Sequence, residues 1–231
     1  MTNWALIFGA LAGCASFAGG HLVLRMPQKA ALFQALASGM MMGAALFDLL
    51  PEAIALRGEH VPLPLLITMI VCLACLFTAC HSQKLTRASG HRASIIPGFL
   101  VLHSLMDGAS IGLAFQLTVG TGWLVALAIL AHDLADGVNI ASLSPSRRSA
   151  SLWLLVNALA PVIGALLGGA LNIPAPILSL LLAAMAGIFL YIGAFHLIPD
   201  SLAGNRFWAT AALVATGLFS MDVITSLIGG A

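Results

Sequence analysis

Two matching segments carry the residues best suited to chemistry, LHSLMDGASIGLAF at 102–115 and AHDLADGVNIASL at 131–143, each containing His-x-x-x-Asp-Gly. Positions i and i+4 share one face of a helix. His103 with Asp107, and His132 with Asp136, therefore each present an imidazole and a carboxylate in one direction, as two ligands from one helix must. Asp133 stands three residues before Asp136 and Ser104 three before Asp107, so each can join its set from one side. A single histidine on an apolar helix is ordinarily a hydrogen-bonded packing residue. Two registered pairs argue for a metal cation instead.

The register between the pairs strengthens this reading. If the two segments form an antiparallel hairpin turning at Val119, Gly120, Thr121 and Gly122, residues at equal height share a midpoint. The pairs His103/Asp136 and Asp107/His132 both have their midpoint at 119.5, on that turn. Their level lies about 18 Å from the turn at 1.5 Å per residue, near the middle of a hydrocarbon core about 30 Å thick. Four ligands are thus expected to converge near a membrane midplane. Gly108 and Gly137, directly after the two aspartates, are expected to let helices approach closely, as are Gly9-x-x-x-Gly13, Gly39-x-x-x-Gly43 and Gly164-x-x-x-Gly168.

The elements that position these groups follow from composition. Of 231 residues, 61% are hydrophobic and 7% charged, against about 45–50% and about 25% in soluble domains, which excludes a soluble globular fold. A formal charge of +1 gives no field for nucleic acid or a strongly acidic partner. Apolar runs predict an all-α integral membrane protein with eight spans near 4–24, 30–56, 62–80, 95–118, 123–143, 151–171, 176–201 and 207–228. The runs are continuous rather than alternating, which disfavours a membrane barrel. All of 1–231 reads as a single transmembrane domain, with 81–94 as a connecting loop. No basic residue precedes Arg25, so the first run reads as a span rather than a secretory signal. Arg25, Lys29, Lys84, Arg87, Arg92, Arg147, Arg148 and Arg206 follow odd-numbered spans, and only Arg57 falls on the other side. The positive-inside rule then places both termini outside and the 81–94 loop in the cytoplasm. Cys14, Cys72, Cys75 and Cys80 lie in or at the ends of apolar runs, where they read as small core residues.

The acids are distributed differently from the bases. All nine Lys and Arg lie in connections, whereas of eight acids only Glu59 does. Asp48, Glu52, Asp107, Asp133, Asp136, Asp200 and Asp222 fall within or at the ends of spans, where a charge near the bilayer centre costs at least a few kcal/mol. No span offers Lys or Arg as a partner, and His103, His132 and His196 sit among these acids, so the interior is built to hold cations. FDLLPEA at 47–53 and FHLIPDS at 195–201 repeat a Pro-acid ending on the second and seventh spans, which run in opposite directions. This predicts an inverted repeat of spans one to three and six to eight around a central hairpin.

Taken together, these residues resemble the ZIP (Zrt/Irt-like) family of divalent metal transporters over the whole chain. The resemblance implies transport of a divalent transition metal toward the cytoplasm. It assigns His103, Ser104, Asp107, His132, Asp133 and Asp136 to the transport site, Asp48, Glu52 and Asp222 to the entrance, and His196 and Asp200 to the exit. The chain departs from the family pattern in Ser104, where many members have Asn, in Asp107 and Asp136, where Glu is common, and in Ala160 before Pro161, where a Glu often stands. Those departures predict one central ion rather than a bridged pair.

Mixed nitrogen and oxygen ligands suit Zn2+ and its neighbours Fe2+ and Mn2+, with Cd2+ by similarity to zinc, better than calcium or magnesium. Zinc is the family's usual substrate. The expected surroundings are the lipid bilayer of the cell (inner) membrane and the transported ion, with a homodimer left open and no nucleic acid. The runner-up is an intramembrane metal-dependent hydrolase, because two histidines and an acid around an open position also describe catalytic zinc. Acids on both sides of the midplane form a path rather than one pocket, which argues against an enzyme. A proton-driven carrier of organic cations would explain the acids but not the registered histidines.

Overall fold

In the computed structural model of the chain, residues 2–56, 70, 92–168, 170 and 174–229 are described. Among them every regular element is helical, and seven helices are long and apolar enough to cross a membrane. The expected third span, 62–80, lies outside the described residues apart from Ile70. So does the expected loop, 81–94, up to Arg92, where a helix already begins.

The helices are α1 (Thr2–Arg25), α2 (Ala30–Gly43), α3 (Leu50–Ala55), α4 (Arg92–Leu117), α5 (Val119–Leu143), α6 (Arg147–Gly168), α7 (Ala175–Ile192), α8 (Ile198–Gly204) and α9 (Phe207–Gly229). Two of the expected spans are composite. A π-helical segment, Ala44–Leu49, joins α2 to α3, and another, Gly193–Leu197, joins α7 to α8. Each lies immediately before a proline at the start of the next helix, Pro51 and Pro199. Proline has no N–H to donate and its ring crowds the carbonyl four residues back, and one widened turn accommodates both effects. Asp48 and His196 sit inside the two widened turns.

The hairpin between α4 and α5 is tighter than the sequence suggests. The expected turn at Val119–Gly122 is the first turn of α5, and the chain breaks at Thr118 alone. Its extended backbone and its side-chain oxygen, accepting from the Thr121 N–H at 3.0 Å, cap α5. Gly120 and Gly122, expected in the turn, are helical.

α4 packs along α6 and α5 along α1, while α1 meets α6 and α4 meets α5, so these four form one bundle. α2 packs along α9, with contacts to α5 and to the α7–α8 unit. The α2–α3 and α7–α8 units are antiparallel: Ser201 in α8 donates to the Ala31 carbonyl at the start of α2 at 2.8 Å, whereas Gly193, further back, packs on Ser38 and Met42. Glu52 and Asp200 consequently lie at opposite ends of the molecule. Leu152, Leu155, Leu159, Ile163 and Leu166 form an exposed apolar face on α6, opposite the face bearing buried Asn157, Ala160 and Gly164. An apolar outer face over a polar inner one is the arrangement a lipid solvent selects.

Candidate metal centre

α4 and α5 bring His103, Asp107, His132 and Asp136 together, and one ligand atom from each lies within 4.8 Å of all the others. Asp107 Oδ2 is 3.0 Å from His103 Nε2 and 3.4 Å from His132 Nε2. His103 Nε2 is also 3.9 Å from Asp136 Oδ2. The cross-helix contacts are therefore Asp107 with His132 and His103 with Asp136, the two pairs at one level in the hairpin. The imidazole centroids are 5.7 Å apart. All four side chains are buried, His103 and Asp136 to 2% exposure.

Two imidazoles and two carboxylates in this space form a four-donor set of a kind first-row divalent metals take. Two carboxylates match the charge of a divalent cation, so the dry interior would hold a nearly neutral assembly. His103 Nε2, His132 Nδ1 and Asp136 Oδ2 have no hydrogen-bond partner among the described residues. Buried polar groups are normally paired, and a ligand set whose internal contacts converge on Asp107 Oδ2 while these three atoms lack a hydrogen bond fits a cation as the missing partner.

The remaining residues of the expected transport site lie around this group. Asp133 is wholly buried, with both oxygens unpartnered among the described residues, yet it is not among the four converging ligands. Ser104 donates to Asn157 Oδ1 on α6 at 3.0 Å, and Asn157 Nδ2 donates to Ser16 Oγ on α1 at 2.8 Å. Its proton is thus committed away from the cluster, in a polar link across three helices. The Phe189 ring on α7 meets His103 edge-on with centroids 4.3 Å apart and closes the site from the second group of helices. Neither Asn157 nor Phe189 carries a signal in the sequence, because each reaches the centre from a distant element.

Gly108 and Gly137 set the spacing of the bundle. A Cβ at Gly108 would overlap the Pro161 carbonyl on α6, and one at Gly137 would overlap the Ser16 carbonyl on α1. The residue after each aspartate is therefore a point of backbone contact.

Of the expected entrance residues, Asp48 is partly buried and within electrostatic range of both His132 and Asp107, and Glu52 is exposed within range of Asp48. Asp222 is partly buried on α9. At the other end, His196 is partly buried with its ring 5.2 Å from Tyr191, and Asp200 is exposed.

A family model described as ZIP zinc transporter matches residues 79–225, which include both His-x-x-x-Asp-Gly motifs. The chain belongs to the ZIP family. Among curated proteins it is similar to the zinc transporter foi of Drosophila melanogaster, 28% identical over 131 residues, covering 55% of this chain and 19% of the relative. Zinc transporter ZIP10 of Mus musculus is 27% identical over 133 residues, covering 55% and 16%. ZIP10 of Danio rerio is 28% identical over 109 residues, covering 45% and 13%. The chain thus spans less than a fifth of the length of these ZIP relatives.

Proposed function

We propose that this ZIP protein carries a divalent transition metal across a membrane toward the cytoplasm, with His103, Asp107, His132 and Asp136 as the transport site. The convergence of their four ligand atoms within 4.8 Å carries the reading. Zinc is the first candidate because the similar proteins are named zinc transporters and the donor set suits it. Fe2+, Mn2+ and Cd2+ are candidate competitors. The membrane is the cell membrane, crossed eight times with both termini outside.

In this mechanism a hydrated cation meets the exposed carboxylate of Glu52, then Asp48, with Asp222 contributing from α9. It exchanges water for imidazole and carboxylate at the midplane and leaves by way of His196 and Asp200. Asp133 supplies a nearby negative charge, and Ser104 holds α4 to α6 through Asn157. The matching π-turns before Pro51 and Pro199 support an inverted repeat that places like devices at either mouth. Both the family match and the relatives' names support transport, and they lend no support to the hydrolase reading. The deciding experiment is radiometal uptake into proteoliposomes with competing metals. Saturable zinc uptake suppressed by cadmium, iron or manganese is expected, and uptake no faster than in protein-free vesicles would refute the proposal.

A further inference from the structure

One buried polar residue near the cluster has no part in the transport route described above. Asn139 on α5 is 0% exposed, and neither its amide nitrogen nor its oxygen has a hydrogen-bond partner among the described residues. Leaving such a group unpaired in a dry interior is unfavourable, and Ala or Leu would fill an apolar bundle without that cost. Asn139 follows His132 by seven residues, which is two helical turns and within about 20° of the same azimuth. It follows Asp136 by three residues, a rise of about 4.5 Å along α5. The amide therefore lies on the ligand-bearing face, one step nearer the end of the helix.

The next step is Ser142, whose buried hydroxyl also has no partner among the described residues. Ser142 lines a pocket of about 300 Å³ together with Leu24 at the end of α1, Gln34 on α2, Ser144 just after α5 and Arg147 at the start of α6. Ala30 belongs to the same wall, and its neighbour Ala31 receives the Ser201 hydroxyl. The pocket is thus at the Asp200 end of the molecule, the end expected to face the cytoplasm.

We propose that Asn139 is a transient binding site for the divalent cation between the central cluster and this pocket. The inference rests on the metal-transport reading above. The amide oxygen offers the ion a neutral ligand as it leaves two carboxylates, and Ser142 offers the next one. A neutral oxygen binds weakly enough to release, which a station on a conduction path requires. Arg147, whose guanidinium donates to the Leu24 carbonyl, puts positive charge on the pocket wall and disfavours a resident cation there. The stop is consequently at Asn139 and not in the pocket.

The test compares zinc uptake with zinc binding by calorimetry, on the full chain. Wild-type protein that carries no zinc would defeat the transport reading itself, separately from this inference. Given a transporting wild type, Asn139→Leu is expected to lower the maximal uptake rate about tenfold, the equivalent of about 1.4 kcal/mol, with stoichiometry and affinity at the cluster unchanged. Asn139→Asp is expected to slow turnover while retaining additional zinc. Wild-type rates in Asn139→Leu would overturn the proposal, and so would loss of cluster binding in that variant, which would mark a packing role. If Asn139→Leu does not fold, Asn139→Cys in a protein with serine at its native cysteine positions decides. Labelling by an impermeant thiol reagent from the cytoplasmic face, slowed by zinc, is expected; labelling that is absent or indifferent to zinc overturns the proposal.

Discussion

Asp107 Oδ2 lies 3.4 Å from His132 Nε2 across the α4–α5 interface, and the same oxygen is 3.0 Å from His103 Nε2 on its own helix. One carboxylate thus faces both imidazoles, which makes Asp107 the hub of the four-ligand group. Removing a ligand from the proposed site would leave the cation under-coordinated. Replacing outer-shell partners of metal ligands already costs about 10–100-fold, so ligand loss should cost at least as much. His103→Ala, Asp107→Ala, His132→Ala and Asp136→Ala are each expected to lower zinc uptake by at least about tenfold at equal membrane expression, Asp107→Ala most of all. Wild-type uptake by any two of them would remove the cluster from the mechanism.

The two motif glycines should respond to substitution through packing and not through metal chemistry. Gly108→Ala and Gly137→Ala each drive a methyl group into a neighbouring backbone carbonyl, and a backbone atom cannot rotate away as a side chain can. Overpacking of this kind costs about 1–3 kcal/mol. Both variants should show a lower melting midpoint in detergent. Gly120→Ala is the control: the nearest atom to its added Cβ is 3.8 Å away, so its midpoint should match or slightly exceed wild type. Equal midpoints for all three would show that the close approaches are not what holds the bundle.

Much of the centre was legible in the sequence because helical spacing and hairpin register are arithmetic. His103, Asp107, His132 and Asp136 could be placed on one level from their numbers alone. The break at Thr118 was not legible, since Gly120 and Gly122 look like a turn until the threonine cap is seen to start α5 earlier. The prolines at Pro51 and Pro199 were visible, but a π-turn adds one residue without altering the apolar run and so leaves no mark in it. Ser104 looked like a ligand because it stands beside His103, and only the fold reveals Asn157 as the acceptor of its proton. Phe189 is one more apolar residue of an apolar helix until α7 meets His103.

Sidedness can be checked with cysteines at the two mouths. Glu52 and Asp200 lie at opposite ends of antiparallel units, and both are exposed. In a background with the native cysteines replaced, Glu52→Cys is expected to react with a membrane-impermeant thiol reagent from outside and Asp200→Cys from the cytoplasmic side. Asp48→Cys, in the widened turn nearer the centre, should react from the same side as Glu52→Cys but more slowly. Reaction of the Glu52 and Asp200 positions from a single side would overturn the proposed topology.

The number of central ions follows from the charge available. Two divalent cations about 4 Å apart repel by about 16 kcal/mol at an effective dielectric of 20, so a second ion needs bridging carboxylates to offset that. In the proposed site the first ion would draw on Asp107 and Asp136, two of the four converging ligands. Asp133 is buried nearby but outside the converging group, and the proton of Ser104 is bonded to Asn157. On α6 the residue before Pro161 is Ala160, buried at 4% exposure, and Asn157 one turn earlier is a neutral amide bonded to Ser16 and Ser104. α6 therefore brings no negative charge to the centre. One tightly bound zinc per chain is expected by calorimetry or anomalous scattering at modest zinc concentration. Ala160→Glu should raise the stoichiometry toward two by supplying the missing carboxylate, and Ala160→Gln, of the same size without the charge, should not. Two fully occupied central ions in the wild type would show that Asp133 and the shared oxygens suffice, and the single-ion site would have to be abandoned.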